Sequence, residues 1–92
     1  MSTWVDTLPT DKVAEWIKKN GEAMKVRHHT DDPRFALWLH YLDRAVMRRV
    51  MVSYQDFEDW DTWSAYEAGM SPGEAAEQML EDAGWADGSM EW

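Results

Sequence analysis

The sequence predicts a mostly α fold, a compact domain of three or four helices around one central buried helix, and three observations predict it. Residues 33–52, PRFALWLHYLDRAVMRRVMV, are the only segment both long and dense in large apolar side chains. Helix-starting and helix-stopping residues recur at the ends of apolar stripes with helical spacing. Cysteine is absent, so neither disulfides nor a thiolate metal site can replace an ordinary core. At 92 residues the chain reads as one helical domain over residues 1–85, followed by a flexible acidic and aromatic tail over 86–92.

Residues 1–9 are a lead-in from which Trp4, Val5 and Leu8 dock on the core. Thr10 is positioned to cap a first helix over 11–20. Val13, Trp16 and Ile17 form its narrow apolar stripe, Asp11 lies beside the positive end of its dipole, and Asn20-Gly21 offers a left-handed stop. Lys12, Lys18 and Lys19 fall on its outer side. Residues 22–29, EAMKVRHH, alternate Met24 and Val26 with Lys25 and Arg27 and read as an extended connection, as do residues 50–54. One short β pairing between these two segments is a minor option.

The central helix is expected over 33–50, with Asp32 or Thr30 as its cap and Pro33 in its first turn. Phe35, Trp38, Leu39, Leu42, Ala45, Val46 and Val50 share one broad face. Leu37 and Tyr41 widen the apolar arc over the first two turns, so that this half should be buried nearly all round. Arg44, Arg48 and Arg49 restore a polar side further along. Ser53 starts a helical turn, and Asp59 or Asp61 caps a helix ending at residue 68, where Gly69 stops it. Ser71-Pro72-Gly73-Glu74 is a complete start signal for a last helix over 72–83, with Ala75, Ala76, Met79, Leu80 and Ala83 as its buried stripe. Gly84 ends that helix where Trp85 can fold back on Leu80.

Charge divides the chain in two. All nine Lys and Arg lie between Lys12 and Arg49, where seven Asp and Glu leave a net charge of +2. Residues 50–92 hold eleven Asp and Glu and no Lys or Arg, which brings the whole chain to −9. Along the last helix Glu74, Glu77, Glu81 and Asp82 follow one another without a lysine to offset them, and such neighbours repel. Glu81 and Asp82 also crowd the negative end of the helix dipole. Local rules broken in this way mark functional surfaces, although acidity that merely keeps the protein dissolved is the plainer reading. Seven tryptophans exceed what so small a core can hold, so some are expected to face a partner.

The stretch SYQDFEDWDTWSAYEAGMSPGEAAEQMLEDAG, residues 53–84, resembles small uncharacterised acidic accessory proteins of actinobacterial phages, in which an acidic and aromatic turn precedes a glycine, Ser-Pro and an alanine-rich helix. What the resemblance implies is a phage accessory protein, a class rich in inhibitors of host machinery, and hence a location in the host cytoplasm. It carries no known active site.

No glycine-rich phosphate loop, nucleophile elbow or closely spaced zinc-ligand pair accompanies the many carboxylates, so neither catalysis nor a cofactor is expected. His40 and Asp43, three apart on a helix, are the only suggestive metal pair, and the histidines are read as surface residues instead. The acidic run 56–61 lacks the glycine and terminal glutamate of a calcium loop. No apolar run is long enough for a membrane span, and the first residues lack the pattern of a signal peptide, which favours the cytoplasm. The function expected is a non-enzymatic interaction module that covers a basic, nucleic-acid-binding surface of a host or defence protein by nucleic-acid mimicry. Its contact residues are Asp56, Glu58, Asp59, Trp60, Asp61, Trp63, Glu74, Glu77 and Glu81. The alternatives are an oligomeric structural, scaffolding or regulatory protein assembled through exposed aromatics, and direct nucleic-acid binding through Lys18, Lys19, Lys25, Arg27, Arg44, Arg48 and Arg49, which the net charge opposes.

Overall fold

The computed structural model of the chain describes residues 3–57 and 60–84. Four α-helices account for most of them, α1 (Thr10–His28), α2 (Pro33–Val50), α3 (Thr62–Glu67) and α4 (Pro72–Asp82), with short 3-10 turns at Trp4–Thr7 and Tyr54–Asp56. Among the described residues there is no strand, and the mostly α class is as expected.

α2 is the hub against which every other element packs. Its start follows from the sequence: Asp32 Oδ1 accepts from the backbone N–H groups of Arg34 (2.9 Å) and Phe35 (3.3 Å), and Pro33 occupies the first turn, where it has no hydrogen bond to lose. Phe35, Ala36, Leu37, Trp38 and Leu39 are all buried in succession, which a helix achieves only when it is covered on all sides. Leu42, Ala45 and Val46 continue the inward face, while Tyr41, Arg44, Met47 and Arg48 are exposed. Val5 is buried from the lead-in, and Trp4 and Leu8 pack beside it.

α1 corrects the expected layout. It runs to His28 rather than stopping at residue 20, so residues 22–29 are neither extended nor paired as a strand. Five alternating residues cannot separate a two-residue period from a 3.6-residue one, and Glu22, Ala23, Met24, Lys25 and Arg27 are all competent helix formers. Gly21 is buried inside the helix, where a side chain would crowd the preceding turn of α1. A Cβ on it would lie 3.3 Å from the Ile17 side chain and 4.0 Å from Pro33, the first residue of α2. The left-handed stop is His29 (φ 56°), after which the Thr30 N–H returns to the Lys25 carbonyl at 3.0 Å. Pro9, not Thr10, holds the position preceding the first turn.

α2 likewise ends on a left-handed residue without glycine, Met51 (φ 65°). α3 is shorter than the expected 59–68. Asp61 caps it, its carboxylate accepting from Ser64 N–H (3.0 Å) and Ser64 Oγ–H (2.6 Å), and residue 59 lies outside the described residues. Gly69 (φ 87°) supplies the stop, with the Met70 N–H bonded to the Ala65 carbonyl at 3.1 Å. The turn is then tied to the hub, because Trp38 Nε1–H donates to the Met70 carbonyl at 2.9 Å. α4 opens on the reciprocal pair expected of Ser71 and Glu74 and buries Pro72, Ala75, Ala76, Met79 and Leu80. The fold-back of Trp85 and the tail over 86–92 lie outside the described residues.

The aromatic rings concentrate at the start of α2. Phe35 meets Trp63 edge-on (centroids 4.9 Å apart) and Tyr66 at 5.1 Å, and Tyr66 also lies against Trp38 at 5.9 Å. Short α3 thus owes its stability to packing, since six residues make an isolated helix untenable. Replacing Leu42 by Ala should lower unfolding stability by about 2–5 kcal/mol. The same change at Met47, on the same helix but 44% exposed, should stay within about 0.5 kcal/mol, with chemical denaturation as the measurement.

Candidate functional site

The expected contact surface can be built from α4 outward. Its small residues Ala75 and Ala76 and the larger Met79 and Leu80 face α2, which leaves Glu74, Glu77, Gln78, Glu81 and Asp82 exposed on the far side. No basic residue occupies the last turn. Residues three and four apart on this face are neighbours about 5–6 Å apart between Cβ atoms, so the carboxylates repel within the helix itself. Among the described residues Arg49 is the cation that pairs with them, its guanidinium 3.9 Å from Glu77 Oε1 while also donating to the Ala45 carbonyl at 3.0 Å. A pair this long and this exposed contributes little.

The aromatic tract reaches α4 through Trp60. Its Nε1–H donates to Asp82 Oδ2 at 2.8 Å, and Asp82 Oδ1 accepts from Gln78 at 3.0 Å. Trp60 is therefore half-buried against the core and anchored. Trp63 remains 44% exposed while one edge rests on Phe35, and of the tryptophans among the described residues it offers the most surface. Asp61 and Glu74 are expected contacts whose carboxylates already serve as helix caps, which holds Asp61 below the usual carboxylate range through its bonds from Ser64. Asp56 and Glu81 are exposed, and Glu58 and Asp59 lie outside the described residues. The structure thus brings Trp60 to the C-terminal turn of α4, together with an acidic partner, Asp82, that sequence reasoning placed on the helix but not in the surface. Trp63 belongs to the other end, at the start of α2.

The basic residues are more engaged than their number suggests. Lys19 pairs with Glu15 at 3.1 Å, Lys25 with Glu22 at 3.2 Å and Arg27 with Asp43 at 3.6 Å. Arg34 pairs with Asp6, whose carboxyl is held below its ordinary value chiefly by the backbone N–H of Thr3 and further by that guanidinium. Lys18, Arg44 and Arg48 have no ion pair among the described residues.

Asp43 is engaged on both of its oxygens. Oδ1 accepts from Ser53 Oγ–H (2.7 Å) and Tyr54 N–H (3.3 Å), and Oδ2 faces Arg27. Among the described residues no group of three or more His, Asp or Glu converges as a metal site. Beside Asp43 the structure corrects the histidines: His28 is only 6% exposed and His40 is half-buried against Trp16. His28 Nδ1 shares a 2.6 Å hydrogen bond with the Tyr54 hydroxyl, while its Nε2 is buried without a protein partner. Desolvation, reinforced by Arg27, pushes the His28 ring down to about 4. Burial also raises the Tyr54 hydroxyl above its ordinary value. This pair joins the end of α1 to the turn after α2 across 26 residues, and no local pattern announces it.

Comparison of the chain with protein-family models, with curated proteins and with solved structures finds no match.

The histidines imply a defined pH response. The His28 and His40 rings both bind protons more weakly folded than unfolded, so their contribution to stability is complete above the ordinary histidine value of 6.5. It falls as the pH drops from there toward about 4, where folded His28 itself becomes protonated. The share of Asp6 and Asp61 is lost separately, below their ordinary 3.8. Nuclear magnetic resonance titration of the His28 ring should give a midpoint near 4; a midpoint at 6.5 would contradict its burial.

Proposed function

We propose that this protein is a non-enzymatic interaction module whose acidic surface docks on a basic surface of another protein, in the manner of a phage-encoded inhibitor that covers a nucleic-acid-binding site. The observation that carries the reading is the outer face of α4. Glu74, Glu77, Glu81 and Asp82 stand exposed there at helical spacing, and among the described residues the one ion pair they make is the long contact of Glu77 with Arg49. Each repelling pair costs about 0.2–0.5 kcal/mol and each unfavourable dipole position about 0.3–1 kcal/mol, which a lysine in the last turn would reduce, and a basic partner relieves both. Carboxylates at this spacing present negative charge in a row, as phosphates do, to a groove lined with Lys and Arg.

The helix sets the reach of the surface. From Pro72 to Asp82 it spans about 16 Å, and Trp60, hydrogen-bonded to Asp82, extends it with an aromatic ring already fixed in place. A ring held before binding loses little entropy on association. Trp63 supplies a second, separate aromatic edge. The rim carboxylates speed encounter and select a basic partner, whereas the buried rings slow dissociation.

The test is an affinity capture from a bacterial lysate, followed by kinetics on the captured protein. Glu74→Gln, Glu77→Gln and Glu81→Gln together leave a residue at position 74 that still completes the cap, so folding is retained. The triple variant should associate about tenfold more slowly at low salt and show a flatter salt dependence. Trp60→Ala should instead raise the dissociation rate. Equal recovery of the same proteins by parent and triple variant would show α4 to be a solvated face only.

A further inference from the structure

A second surface, on the opposite sign of charge, lies where α2 and the start of α4 meet. Trp4, Tyr41, Arg44, Arg48 and Arg49 line an open cleft of about 330 Å³ whose remaining wall is the Ser71-Pro72-Gly73 turn. Arg44 and Arg48 are one helical turn apart on α2, both exposed, and neither has an ion pair among the described residues. That is unexpected in a chain with twice as many acidic as basic residues. Like charges at this spacing repel, and an external anion would relieve that repulsion, while Arg48 in the last turn of α2 also sits favourably at the negative end of the helix dipole. Of the carboxylates on the first turns of α4, Glu74 accepts from the Ser71 N–H at 3.1 Å, and Glu77 lies 3.9 Å from Arg49.

Beside the arginines, Trp4 and Tyr41 meet edge to face with centroids 5.6 Å apart and form an aromatic wall. The side facing them at Gly73 is open, since a Cβ there would meet nothing within 4 Å. Guanidinium groups grip phosphate oxygens two at a time, and a flat ring stacks on Trp or Tyr. From this juxtaposition we propose that the cleft binds a nucleotide, its phosphate held by Arg44 and Arg48 and its base against Trp4 or Tyr41. The ligand is short. Arg44, Arg48 and Arg49 leave the cleft positive, with Glu77 at 3.9 Å only weakly offsetting Arg49, which suits a single phosphate group. The acidic face of α4 begins beside Arg49, within a Debye length of about 8 Å, and repels a polyanion that runs on past the cleft. This site uses none of the residues assigned to the acidic surface except through that repulsion, and it stands or falls separately.

Titration calorimetry at low salt with adenosine 5′-monophosphate, adenosine, inorganic phosphate and a single-stranded oligonucleotide long enough to leave the cleft tests the proposal. The monophosphate should bind most tightly of the four. Arg48→Gln should weaken it about tenfold, whereas Lys18→Gln, the same change of charge at an exposed position of α1, should leave it nearly unaltered. Both substitutions are at exposed positions, and unchanged thermal unfolding confirms that each variant is folded. Inorganic phosphate binding as well as the nucleotide would overturn the role of the aromatic wall, and with it the ligand class. Tighter binding of the oligonucleotide would overturn the short-ligand proposal, and equal loss in the two variants would overturn the site.

Discussion

The enclosure of the first half of α2 is the constraint on which the remaining structure depends. Five successive buried residues, Phe35 to Leu39, leave this helix no face for water, so other elements must cover it on every side. α1, α4, the Trp4–Thr7 turn, the Tyr54–Asp56 turn and α3 supply that cover. Because each contributes only one apolar stripe, each is left with an outer face free to carry charge. The two surfaces argued above are therefore by-products of one buried helix: the carboxylates of α4 lie opposite its alanine stripe, and the arginines lie where α2 leaves the core.

Much of this was legible in the sequence wherever the signal was local. Asp32-Pro33 at the start of α2 and Ser71-Pro72-Gly73-Glu74 at the start of α4 specify their helices by side-chain to backbone bonds within three residues. Gly69 ends α3 for the same kind of reason. Where the structure departs from expectation, the local signal is misleading or missing. Gly21 resembles a stop but lies buried inside α1, where a side chain would crowd Ile17 one turn earlier. The true ends of α1 and α2 fall on His29 and Met51, residues that carry no left-handed preference strong enough to be read in advance. The burial of His28 likewise depends on Tyr54, far along the chain.

The candidate surface was legible in composition and less so in placement. The absence of Lys and Arg after Arg49 pointed to the acidic face of α4, and the structure leaves those carboxylates exposed. The aromatic residues could not be sorted by sequence, because Trp60 and Trp63 sit in the same acidic tract and yet do different things. Trp60 is fixed to Asp82 at the end of α4, whereas Trp63 lies on Phe35 at the start of α2. The arginines, counted as part of a diffuse basic half, separate into pairs already made and an unpaired set around one cleft.

All of these assignments presuppose that α2 is enclosed and that the other elements are layered on it. Amide hydrogen exchange measured residue by residue reads that layering directly, because protected amides in an enclosed helix exchange only through global unfolding. The slowest amides should be those of Trp38 to Val46, with α4 next and the N-terminal turns of α1 and all of α3 faster. Exchange of the α2 amides as fast as those of α3 would contradict the account.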